Sequence, residues 1–80
     1  MTRYFFDLHD NGEVFHDSAG QEMPDDEHAR HEASQTLTEI TQDNLTKDGL
    51  YRDLKIVVRT DAEGPLWETR LHWETVRLKS

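Results

Sequence analysis

The sequence contains no cysteine, which excludes a disulfide framework, a thiolate zinc site and a cysteine nucleophile. No stretch approaches the roughly 18 consecutive apolar residues that a membrane span requires. The opening Met1-Thr2-Arg3-Tyr4-Phe5-Phe6-Asp7 has no apolar run long enough for a secretory leader. A cytoplasmic protein without membrane contact is therefore expected. Glycine is sparse: Gly12, Gly20, Gly49 and Gly64 stand alone, and no phosphate-cradling loop can be assembled from them. Basic residues are scarce as well, nine against seventeen acids for a net charge of −8. That balance opposes a polyanionic partner and favours solubility.

What remains is periodic. Thr2 to His9 alternates, with Tyr4, Phe6 and Leu8 on one side and Arg3, Phe5 and Asp7 on the other, the pattern of a half-buried strand. Asn11-Gly12 suits a two-residue hairpin turn with both residues at positive φ. That turn sets Asp10 against Glu13, His9 against Val14, Leu8 against Phe15 and Asp7 against His16, so Phe15 joins the apolar side. Asp17 to Gly20 reads as a turn, and Gln21 to Pro24 as extended chain, since proline excludes its predecessor from helical space.

Asp25 is placed to cap a helix whose first turn carries Asp26 and Glu27. The helix is expected to reach about Thr46, before Lys47-Asp48-Gly49 supplies a stop. Its apolar stripe is Ala29, Ala33, Leu37, Ile40 and Leu45. Asp53 to Asp61 forms a further strand, with Leu54, Ile56 and Val58 alternating against Lys55, Val57 and Arg59. A turn at Asp61-Ala62-Glu63-Gly64 returns the chain as Leu66 to Trp73. Pairing Val58 with Trp67 and Leu54 with Leu71 brings large apolar groups together, at the expense of setting Lys55 against Arg70. The order is β-β-α-β-β. The expected fold is α+β, a four-stranded, mainly antiparallel sheet with one helix on one face. Residues 1–80 make a single small domain, with 1–73 as its core and 74–80 as a candidate tail.

Several of these residues also carry a resemblance. Arg3-Tyr4-Phe5-Phe6 is followed by the Asp10-Asn11-Gly12 turn, then Asp17, Gly20, Glu22-Met23-Pro24-Asp25, Ala29, Glu32-Ala33 and Asp61-x-Glu63-Gly64. Together they resemble a domain-of-unknown-function family of short proteins common in rhizobia and related bacteria. The resemblance spans nearly the whole chain, but its motif residues are turn, cap and core types. It implies boundaries and brings no activity or catalytic residues with it.

Charge is unevenly spread. Through Leu50 there are twelve acids and three bases, and from Tyr51 onward five acids and six bases. Two pairs of side chains come closest to catalytic or metal chemistry. His28 and His31 lie three apart on one side of the helix and are the candidate metal ligands. There is no His-Glu-x-x-His arrangement, and a solvated helix face accounts for both. Asp7 with His16, and Asp53 with His72, would be cross-strand carboxylate–imidazole pairs, but no serine is positioned as their nucleophile. The chain is expected to be non-enzymatic and to need no cofactor.

One helix shields one face of the sheet, which leaves Phe5 and Val57 among Arg3, Lys55, Arg59 and Arg70 on the other. Phe5, Val57, Arg59 and Arg70 are thus the candidate interface residues. The expected function is a protein-interaction module that self-associates, as a homodimer or with another protein, through the open sheet face or an edge strand. The alternatives are a metal- or small-ligand-binding protein using its surface histidines, and a weak single-stranded nucleic-acid binder.

Overall fold

The structure is a computed structural model that describes residues 1–44 and 51–79. The elements are β1 (Thr2–Asp10), β2 (Glu13–Phe15), β3 (Gln21–Met23), α1 (Asp26–Asn44), β4 (Tyr51–Thr60) and β5 (Gly64–Glu74). All strand pairs are antiparallel, in the order β2-β1-β4-β5, with β3 also paired to β1. Among the described residues no helix is long and apolar enough to cross a membrane.

The first hairpin takes the register set by its turn: Leu8 faces Phe15, His9 faces Val14 and Asp10 faces Glu13. Asn11 at φ 50° and Gly12 at φ 91° supply the two left-handed residues that match the twist of the flanking strands. The second hairpin also pairs as read, Val58 with Trp67 and Leu54 with Leu71. Lys55 does oppose Arg70. The repulsion is relieved diagonally, by Glu68 at 3.4 Å from Lys55 and Asp53 at 3.7 Å from Arg70. Between Val58 and Arg59 the register slips by one, so that consecutive Leu66 and Trp67 both pack against the core.

Two features correct the expected fold. The sheet has five strands rather than four, because the extended segment Gln21–Met23 pairs with the first half of β1. β2 and β3 therefore share one edge of β1, separated by the loop that carries Asp17. The second correction concerns α1. It lies over β4 and β5 and touches the end of β3, so Phe15 shares the helix side yet stays 49% exposed.

Helix α1 begins as its sequence dictates. The Asp25 carboxylate accepts the His28 backbone N–H at 2.9 Å, the N-cap bond to a free first-turn donor. Ala29 and Ala33 are fully buried and bring the helix close to Tyr4, Leu54, Ile56 and Val58. The expected end at Thr46, Leu45 of the stripe and the Lys47-Asp48-Gly49 stop lie outside the described residues. Beyond β5, residues 75–79 run on without regular structure.

Candidate interaction surface

On the face away from α1, β1 presents Phe5, Asp7 and His9, and β4 presents Arg59, Val57 and Lys55 opposite them. This is the alternation read from sequence. The face is not bare, however. Phe5 is only 8% exposed, because the loop between β2 and β3 folds across it. Gly20 has φ 73°, and a Cβ there would stand 2.9 Å from the Phe5 ring and 2.8 Å from Arg3 Cγ. Only glycine combines that left-handed backbone with so close an approach. The Arg59 guanidinium lies 4.5 Å from the Phe5 ring centroid, at cation–π distance.

A polar cluster holds the loop in place. Buried Asp7 receives Arg59 Nε at 2.7 Å and the Asp17 backbone N–H at 2.9 Å. Arg59 also donates to the Asp17 carbonyl at 3.1 Å. The Asp17 carboxylate accepts N–H groups from Ala19 at 3.1 Å and Gly20 at 3.0 Å, and from Phe6 at 3.1 Å. It thereby satisfies the strand-edge donor that neither β2 nor β3 reaches. Burial pushes the Asp7 carboxyl up, but the Arg59 hydrogen bond, the Asp17 N–H and the positive charges outweigh it and hold it below the ordinary range. Asp17 is also held low, first by the Gly20 N–H. His16 stands 3.7 Å from Asp7, the pair read from the hairpin register. On the helix side Tyr4 donates to Asp26 at 2.6 Å. That hydrogen bond, with burial, pushes the phenol up to about 12.

Asp53 and His72 are register partners as expected, but their side chains go elsewhere. Asp53 turns to Arg70, while the His72 ring meets Tyr51 edge-on at 5.1 Å. His28 Nδ1 is tied to Asp25 at 2.7 Å, and that bond leads the causes holding the Asp25 carboxyl low. His28 and His31 line a shallow hollow with Glu27 and Arg30 on the outer face of α1. Among the described residues no group of three His, Asp or Glu side chains stands together for a metal ion.

The two sheet edges differ sharply. One consists of β2 and β3, three residues each, too short and interrupted to template another strand. The other is β5, eleven residues long and, among the described residues, paired only on its β4 side. Its outward groups follow from the ladder. The Phe6 N–H points away from β4 to Asp17, so Val58, opposite Phe6, directs its backbone groups to Trp67. By alternation Glu68, Arg70 and His72 direct theirs outward. Of the four interface candidates, Phe5 and Arg59 are spent within the chain and Val57 is half-buried. Arg70, its side chain 53% exposed, stands on this edge.

One family model matches residues 3–72. The chain belongs to DUF6894, a domain of unknown function. Comparison with curated proteins and with solved structures returns no match. The DUF6894 match begins at β1 and ends within β5, so it takes in the polar cluster and most of the open edge. The sequence reading missed both the loop over Phe5 and the asymmetry of the edges. The available signal was Asp17 three residues before Gly20, an aspartate placed to accept the N–H groups of the turn that follows it.

Proposed function

We propose that this DUF6894 domain is a non-enzymatic interaction module that forms a homodimer by pairing β5 with a second copy. The observation that carries this reading is the edge asymmetry: a long strand with outward-facing backbone groups at one side, and a short, broken edge at the other. A cytoplasmic location suits an acidic chain without cysteine.

The chemistry of the remaining surface supports the same choice. The Asp7, Asp17 and Arg59 groups are engaged with one another and with backbone. The basic-aromatic platform expected for nucleic acid is not presented. The Phe5 ring is covered, and Arg3, Lys55, Arg59 and Arg70 each face a carboxylate, Glu22, Glu68, Asp7 and Asp53 respectively.

Sedimentation equilibrium at tens of micromolar tests the proposal, with Arg70→Pro as the comparison. Proline at position 70 removes an N–H that points away from β4, so the internal ladder is kept while the outer edge is blocked. The wild type should sediment as a dimer and Arg70→Pro as a folded monomer by circular dichroism. A wild-type monomer throughout, or a dimer unaffected by the proline, would overturn it.

A further inference from the structure

Accepting β5 as the pairing edge, we infer that the two copies meet antiparallel with the two-fold axis at Thr69, so that Glu68 of each protomer lies opposite Arg70 of the other. Thr69 is the middle residue of Gly64–Glu74. Because Glu68, Arg70 and His72 carry the outward backbone groups, only registers that set even-numbered residues opposite even-numbered ones can form hydrogen bonds. Charge then selects among them. An axis at Glu68 sets that residue against its own copy, and an axis at Arg70 sets arginine against arginine. An axis at Leu71 sets Glu68 against Glu74. An axis at His72 opposes Arg70 and Glu74 but overlaps only residues 70–74 of the strand. The axis at Thr69 instead pairs all of Gly64–Glu74 and places Glu68 and Arg70 face to face, a pair that symmetry makes twice. It also completes a row across the sheet: Arg70, which faces the like charge of Lys55 on its own β4, gains a glutamate on its open side.

The helix side is compatible. Across the axis Trp67 would meet Leu71 of the partner copy, extending an apolar row that already pairs Val58 with Trp67 and Leu54 with Leu71. Helix α1 lies over β4 and β5 alike, so its axis falls about half a strand spacing inside the edge. With strands ~4.8 Å apart, the two helices would run roughly 10 Å apart, close to helix-packing distance. The side of α1 nearest the edge carries small residues, Ser34, Thr38 and Thr41. With Leu37 they line a groove of about 200 Å³ against Thr69, Arg70 and Leu71. Two helices can approach there without large side chains colliding.

The chain lacks cysteine, so single cysteines report the register directly. Odd-numbered β5 positions form the non-hydrogen-bonded pairs of the proposed ladder, with Cα atoms about 4.5 Å apart, within reach of a disulfide. Thr69→Cys should cross-link under mild oxidation, and Arg70→Cys and Leu71→Cys should not. In parallel, Glu68→Arg and Arg70→Glu should each weaken the dimer roughly tenfold or more. Mixing the two variants should restore it as a heterodimer. Cross-linking at position 70 or 71 in place of 69, or no recovery on mixing, would overturn the register while leaving the β5 dimer standing. A wild-type monomer with no cross-link at any of the three positions would overturn the dimer itself.

Discussion

Phe5→Lys should unfold the domain instead of yielding a soluble chain with weaker association. The aromatic ring is buried on the face away from α1, beneath Gly20 and the Arg59 guanidinium. Truncating a buried phenylalanine to alanine costs about 3–5 kcal/mol. A domain of this size has only about 4–12 kcal/mol of stability in total. Lysine adds an ammonium group pressed against Arg59, with Arg3 close by. Phe5→Ala should lower the urea midpoint steeply with a native-like spectrum in the absence of denaturant. Phe5→Lys should lose that spectrum altogether. A folded, monomeric Phe5→Lys protein would return Phe5 to the exposed surface that alternation alone assigns it.

Asp7→Ala should produce the second largest loss, about 2–4 kcal/mol, because it strands the Asp17 N–H and removes the buried partner of Arg59. The effect has a pH signature whose sign is fixed. The Asp7 and Asp17 carboxyls are both held below their ordinary value of 3.8 in the fold. Their stabilisation is therefore complete above the unfolded value and is lost as pH falls through the lower folded values. Wild-type protein should weaken steeply under acid, and Asp7→Asn should be less stable near neutrality with a shallower acid slope. Urea unfolding at a series of pH values measures both, and an unchanged slope in Asp7→Asn would remove Asp7 from the account.

Much of this architecture was legible because it is local. The Asn11-Gly12 turn dictates its own hairpin register, Asp25 caps the helix that follows, and alternation in β4 separates Leu54, Ile56 and Val58 from Lys55, Val57 and Arg59. The placement of the loop over Phe5 was not legible in the same way. It depends on Arg59 reaching Asp7 and the Asp17 carbonyl across 52 and 42 residues of sequence, contacts that no local periodicity encodes. The third strand was missed for a related reason. Gln21–Met23 lacks the alternation of a longer strand, and its pairing exists only because β1 offers a free edge beyond the reach of β2. Among the interface candidates, Arg70 is half-exposed and Phe5 is buried. Arg70 lies on an outer strand whose exposure follows from sheet order, whereas Phe5 is covered by a fold-back of the loop.

The most direct test of the β5 pairing is amide hydrogen exchange at Glu68, Arg70 and His72, followed as a function of protein concentration. These N–H groups point away from β4, so in an isolated chain they exchange with water while Trp67, Thr69 and Leu71 stay protected by the internal ladder. Pairing of two β5 strands predicts that protection at Glu68, Arg70 and His72 rises together as the protein is concentrated, and that the protection at Glu68 and His72 disappears in Arg70→Pro. Fast exchange at all three positions at every concentration, beside a protected Trp67, Thr69 and Leu71, would contradict it.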